Sequence, residues 1–267
     1  MKRTFCSLLL TVFALTLLSG CCCFKKCPYK AGKNQEFPHA VVTKISTPIV
    51  IDGILDDAAW NMTPEYELGQ IVNRCKDVPR EDAAMLAAAA DYETGYVRYA
   101  YDDKYLYVGI KFMDSEIYSE CTENQKMLIS FGETAEVFIK PKNAYHYWEL
   151  YVGPYGNQST FFYPCNGYLG IPSCWATNME GMKTAAHVYG TINNRTDIDD
   201  CWTAEMAIPL EFFAKEGIPF EPGQEWSIMT ARYNPSATRP YRQYSSYPQM
   251  PVLSYHLIEC YGPVDFK

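Results

Sequence analysis

The run Tyr105-Leu106-Tyr107-Val108-Gly109-Ile110-Lys111-Phe112 decides the fold. Leu106, Val108, Ile110 and Phe112 point one way, and Tyr105, Tyr107, Gly109 and Lys111 the other. This is the period of two that a half-buried strand requires. Residues 95–101 precede it across Asp102-Asp103-Lys104, so the two segments read as a hairpin. The same alternation continues outward. Ala135, Val137 and Ile139 alternate with Glu136, Phe138 and Lys140, and Trp148, Leu150 and Val152 with Tyr147, Glu149 and Tyr151. Trp202, Ala204, Met206 and Ile208 alternate with Thr203, Glu205 and Ala207, until Pro209 removes a ladder donor and ends the run. Residues 226–233 and 262–266 complete the set. Short helices are predicted at 55–60 and 210–215. Residues 81–90 are ambiguous: the alanines favour helix, the neighbouring strands favour strand. Short alternating runs broken by Gly, Pro, Asn and Asp predict an all-β chain, an antiparallel β-sandwich with one or two short helices.

The first residues read differently. Lys2 and Arg3 precede an apolar run at 8–18, too short to span a bilayer, and then Leu18-Ser19-Gly20-Cys21. This is the layout of an export signal. Its ending resembles the bacterial lipobox, which implies lipidation of Cys21 and a membrane anchor. Cys22, in place of Asp, resembles the outer-membrane sorting pattern of Gram-negative lipoproteins. The chain therefore divides into a signal peptide (1–20), a lipid-anchored tether (21–38) and one domain (39–267), exported to the outer membrane or cell surface.

Loss of Lys2 and Arg3 with the leader moves the formal charge from −8 to −10. An acidic chain without basic runs repels phosphate backbones, which argues against nucleic acid as a partner. Of 11 cysteines, Cys75, Cys121, Cys165, Cys174, Cys201 and Cys260 fall in the domain. In an oxidising compartment these are candidates for disulfides, with Cys165–Cys174 as the first guess. The domain has no C-x-x-C and its histidines are scattered, which argues against zinc.

The 22 tyrosines suit a carbohydrate site, since a phenol ring offers an apolar face and a hydroxyl. Tyr is equally a strong strand former, and composition alone does not choose. G-x-S-x-G, H-E-x-x-H, the P-loop and the dinucleotide fingerprint are all missing. Glu133, Glu136, Glu149 and Glu205 lie on or near strands and supply the raw material for a glycosidase pair, but charged strand residues ordinarily occupy the solvated face. Non-covalent haem has candidate axial ligands in His146, His187 and His256, while C-x-x-C-H is missing.

Ile51-Asp52-Gly53-Ile54-Leu55-Asp56-Asp57-Ala58-Ala59-Trp60 resembles the I-D-G-x-x-D-x-x-W opening of family 9 carbohydrate-binding modules and their DOMON-like relatives. The sequence 101–108 resembles the family's D-d-x-y-L-Y-v hairpin, Glu136-Val137-Phe138-Ile139 its E-x-F-I strand, and 202–210 its W-x-x-E-x-x-I-P-l segment. Tyr255-His256 and Tyr261-Gly262 resemble its closing motif. The five pieces stand in family order over residues 48–267. The resemblance implies a jelly-roll sandwich in which Gly53 and Trp60 are scaffold.

It also implies a non-catalytic glycan site in which two aromatic rings hold a sugar. Phe131 and Tyr255 stand nearest the ring positions, with Trp175 and Tyr247 as further aromatic candidates. Glu136 matches a hydroxyl-binding carboxylate, Glu149 replaces a basic residue, and Arg232 is expected on the same face. Neither ring position holds the family's Trp. Some relatives bind calcium, and no acidic loop here is dense enough to name ligands. On this reading Tyr255→Ala abolishes glycan retention and leaves the melting temperature nearly unchanged. The alternatives are a structural or interaction lipoprotein with a degenerate sugar site, a haem-binding relative and an outlying glycoside hydrolase.

Overall fold

The computed structural model describes residues 29, 31–32, 35–73, 90–165, 175–239 and 241–267. The leader, Cys21 and most of 81–90 lie outside these residues. Among those described, no helix is long and apolar enough to cross a membrane.

Strand β5 (Tyr105–Met113) is the centre of one sheet, paired antiparallel with β4 (Gly95–Tyr101) and β11 (Cys201–Pro209). Beyond β11 lies β10 (Lys183–Tyr189), and β2 (Tyr66–Glu67) joins the far side of β4. The second sheet centres on β6 (Thr134–Pro141), between β7 (Tyr147–Val152) and β12 (Trp226–Asn234). It continues through β8 (Gln158–Tyr163) and β9 (Trp175–Ala176) on one side. On the other side are β13 (Gln243–Tyr247), β3 (Gly69–Gln70) and β14 (Gly262–Phe266).

Strand β1 (Ala40–Lys44) stitches the sheets together. Its first residues pair with β14 and its last two with β4, both in parallel. The sandwich is therefore nearly closed along that seam, and its pairing is mixed where the sequence predicts purely antiparallel strands. The core between the sheets takes the expected apolar parity: Val108, Ile110 and Phe112 face Val137, Ile139, Trp148 and Leu150. Helix α1 (Leu210–Lys215) follows Pro209 as predicted and packs Phe213 on Trp148 and Trp226. The helical turn predicted at 55–60 starts three residues later, as the 3-10 helix Ala58–Met62.

β5 is buried on both faces, where alternation predicts one. The second face carries Tyr107 beneath Ile45, Ile49 and Trp60. Gly109 makes room for that indole, since a Cβ there would sit 2.9 Å from Trp60. Glu205 holds the arrangement. Its carboxylate accepts Trp60 Nε1–H at 2.8 Å and the backbone N–H groups of Asp52 and Gly53 at 3.1 and 3.0 Å. Gly53, at φ +86°, lies so close to β10 that a Cβ would stand 2.4 Å from the Ala186 carbonyl carbon. The Asp-Gly, Trp and W-x-x-E motifs are thus one scaffold node.

Among the described residues Cys121, Cys165, Cys201 and Cys260 are free thiols. Cys165 is therefore unpaired, against the expected Cys165–Cys174 bridge; Cys174 and Cys75 lie outside the described residues. Burial pushes the Cys260 thiol up to about 12.

Candidate functional site

The outer face of the second sheet gathers most of the residues singled out. Glu136, Phe138, Tyr147, Glu149 and Tyr151 share it, because β6 and β7 pair Glu136 with Tyr151 and Phe138 with Glu149. From β12 come Met229, Ala231 and Tyr233, with Ala231 opposite Glu136. Residues 250–261 fold over this face, seating Leu257, Ile258, Tyr255 and Tyr261 on it.

Glu136 and Glu149 are each only 2% exposed, against the expectation of solvated carboxylates. Their carboxyl groups hydrogen-bond one another. Apart from that contact, Glu136 Oε1 and Glu149 Oε2 find no partner among the described residues. Two facing carboxylates bond only if a proton lies between them. Burial first, and then the neighbouring Glu149, hold Glu136 well above the usual carboxylate range, so it supplies that proton. Tyr151 donates its hydroxyl to Glu149 Oε1 at 2.6 Å. Tyr147 and Tyr163 stack at 4.7 Å, and Tyr147 Oη lies 2.7 Å from His256 Nδ1. Burial keeps that imidazole neutral by lowering its pKa.

Tyr255 packs with its ring 6.0 Å from Phe138 and donates its hydroxyl to the carbonyls of Arg232 (2.8 Å) and Ser245 (3.3 Å). Its ring edges a filled aromatic face, and its hydroxyl is committed to main chain. The solvent-facing margin is made by residues the sequence reading did not single out. Tyr233 and Tyr244 meet edge to face at 5.5 Å, and the exposed Arg242 lies over Tyr233 at 5.4 Å. Burial pushes the Tyr233 phenol up to about 12.

Four expected residues stand elsewhere. Arg232, predicted to share a face with Glu136, points between the sheets, as the parity of Trp226, Ile228 and Thr230 requires. There it pairs with Asp114, lies 3.6 Å from Glu133 Oε2 and covers Phe112 at 4.7 Å. Tyr247 stacks on Tyr66 at 4.2 Å and donates to the His39 carbonyl. Phe131 is 37% exposed at the turn leading into β6. Trp175 pairs opposite Phe162 in β9.

Among the described residues, the glutamates singled out from the sequence do not pair as a glycosidase requires in the contacts they make. Hydrolysis needs about 5 to 9.5 Å between two carboxyl groups flanking a cleft. Glu136 and Glu149 are in contact with each other, Glu133 hydrogen-bonds Asp114, and Glu205 stands in the other sheet. Among the described residues no group of three or more His, Cys, Asp or Glu is placed to hold a metal ion.

No protein-family model matches the chain, and no curated protein is significantly similar to it. Solved structures do match. A provisionally named carbohydrate-binding protein from Bacteroides uniformis superposes with a TM-score of 0.61, at 13% identity, over 86% of this chain and 99% of its own. A family 9 carbohydrate-binding module from Caldicellulosiruptor kristjanssonii, solved with cellotriose, superposes with a TM-score of 0.51 at 14% identity, over 86% and 93% of the two chains. The fold is that of a family 9 carbohydrate-binding module. At such identities the likeness speaks for the fold alone. The family 9 fold explains why the ordered motifs were legible: the Asp-Gly turn, Trp60 and Glu205 are the contacts that hold this sandwich together.

Proposed function

We propose that this domain binds a glycan without transforming it, at the surface of a bacterial cell, held there by lipid on Cys21. The observation that supports this is an aromatic sheet face with two buried carboxyl groups, on a fold shared with a module solved with cellotriose. On this reading Tyr233, Tyr244 and Arg242 meet the sugar at the margin, and Phe131 is a further exposed ring at the turn leading into β6. Glu136, Glu149 and Tyr255 form the floor behind them, and Arg232 supports from the other side of the sheet. The strands wind as a jelly roll. A single shallow site binds weakly, and many tethered copies gain by avidity on a polymer.

A second reading has its own support. The carboxyl groups bond each other and Tyr255 is spent on main chain, as in a sugar site that has become packing for an interaction module. A glycan array probed with the purified chain separates the two. Selective retention by one polysaccharide class, lost in Tyr233→Ala and Tyr244→Ala, supports glycan binding. Silence across the array from a chain with a cooperative melt supports the second reading.

A further inference from the structure

Arg242 stands just before β13 and is exposed at the margin of the outer face, where the β12–β13 register sets Tyr233 opposite Tyr244. Its guanidinium lies over the Tyr233 ring, 5.4 Å from the centroid, beside the phenol groups of both tyrosines. Stacking of this kind holds a long side chain in one orientation and leaves its N–H edge outward. Three other arginines are matched to acids: Arg98 to Glu65, Arg232 to Asp114 and Arg239 to Glu93. Arg242 has no carboxylate at ion-pair distance among the described residues, although the chain carries a formal charge of −8.

A guanidinium presents five N–H donors in a fixed, planar fork. The fork matches oxyanions, which accept two parallel N–H bonds from it. The floor of the same face has the opposite character. Glu136 and Glu149 are buried there, and Tyr233 links them to the margin, since it lies under Arg242 and within electrostatic reach of Glu136. The face is thus polarised, with a cation at its rim and acids beneath.

We infer that Arg242 selects an acidic polysaccharide, holding a carboxylate or sulfate ester at the rim while an uncharged or amino sugar of the same polymer covers the floor. The inference rests on the glycan-binding reading and narrows it to a ligand class. An acidic protein repels polyanions as a whole, so a preference for one requires a local cation, and Arg242 supplies it. The aromatic margin contributes in the same place, because Tyr244 meets Tyr233 edge to face at 5.5 Å and offers a sugar ring an apolar surface beside the charge.

The test uses the full chain, purified in detergent, on an array printed with uronate-bearing, sulfated and uncharged polysaccharides. Hyaluronan, alginate, carrageenan, dextran and xyloglucan represent the three kinds. The polymer best retained is then compared with its own carboxyl-reduced or desulfated form, which also tells a carboxylate ligand from a sulfate one. We expect that polymer to be acidic and to bind about fivefold more tightly than its uncharged form, as a well-oriented exposed ion pair allows. The ratio should shrink toward one near 1 M salt, where the charges are screened. Arg242→Gln should bring it to one at low salt and leave Tm within about 1 °C, since the side chain is exposed. Arg242→Lys should keep part of the preference, because the charge remains and the fork is lost. An uncharged polymer as the best-retained ligand, or a preference for the acidic form that survives Arg242→Gln, overturns the inference and leaves glycan binding standing. Silence across the whole array from a folded chain overturns both.

Discussion

Tyr255→Ala tests whether residues 250–261 are docked as described. The substitution removes a ring packed beside Phe138 and a hydroxyl that satisfies the carbonyls of Arg232 and Ser245. Truncating a buried aromatic ring costs about 3–5 kcal/mol, and an unsatisfied buried acceptor about 1 kcal/mol more. Tyr255 is partly exposed, so we expect about 3–4 kcal/mol. For a domain of this size each kcal/mol lowers Tm by about 2–4 °C, giving a fall on the order of 10 °C. Tyr255→Phe keeps the ring and loses only the hydrogen bond, which predicts about 1 kcal/mol and a fall of roughly 3 °C. Thermal melts followed by near-ultraviolet circular dichroism measure both. This reverses the expectation drawn from sequence, in which Tyr255 was a free stacking ring and its loss left Tm nearly unchanged. A Tyr255→Ala melt within 2 °C of wild type would refute the docking and restore the free ring.

The scaffold node makes a larger prediction. Glu205→Ala strands two buried N–H donors, at about 1–3 kcal/mol each, and the part-buried N–H of Asp52, and should lower Tm by 10 °C or more or abolish the cooperative melt. Gly53→Ala should fail comparably, since its Cβ meets the β10 backbone at a positive φ; recovery at wild-type yield with an unchanged melt would contradict the close approach. The pH profile follows from the buried acids. Burial raises Glu205 to about 7, so between about pH 4.5 and 7 the folded chain binds more protons than the unfolded one. That contribution is fully present below pH 4.5 and lost as the pH rises through 7, at most about 3 kcal/mol. Glu133 and Glu136 are shifted in the same direction. Glu93 and Glu116 are lowered, so their contribution is present above pH 4.5 and disappears as the pH falls below it. Tm should therefore peak near pH 5 and fall toward pH 8. A profile that climbs steadily to pH 8 would show the buried carboxyls to be ionised without penalty.

Strands with apolar alternation were legible nearly to the residue. Residues 95–101, 262–266 and 210–215 take their predicted conformations within their predicted bounds. The strands that escaped notice lack that signal for physical reasons. β10 is an edge strand of intermediate burial, held largely by its ladder to β11. β8 buries Ser159 and Thr160, whose hydroxyls are satisfied by the Lys126 carbonyl and the Met179 N–H, so polarity no longer marks an outward face. β1 contributes a few residues to each of two sheets in parallel, a pairing set by distant partners.

The site was less legible than the scaffold because parity and register carry different information. Parity along β7 already grouped Tyr147, Glu149 and Tyr151, and parity along β12 would have placed Arg232 with Trp226 in the core. What no single strand discloses is which residues meet across strands. Tyr233 and Tyr244 become neighbours only through the β12–β13 register, and Glu136 and Glu149 through that of β6 and β7. A carboxyl replacing a basic residue beside another carboxyl reads from sequence as a loss of polar contact. In the fold it creates a pair that must share a proton or take up a cation. That difference decides what the floor of the face tolerates: a neutral hydroxyl can accept or donate there, while an anionic group meets two acids, the nearest cation at the margin being Arg242. On the glycan-binding reading, neutral or amino sugars are therefore the class to expect over the floor, and a ligand carboxylate has a cationic partner only at Arg242 on the margin.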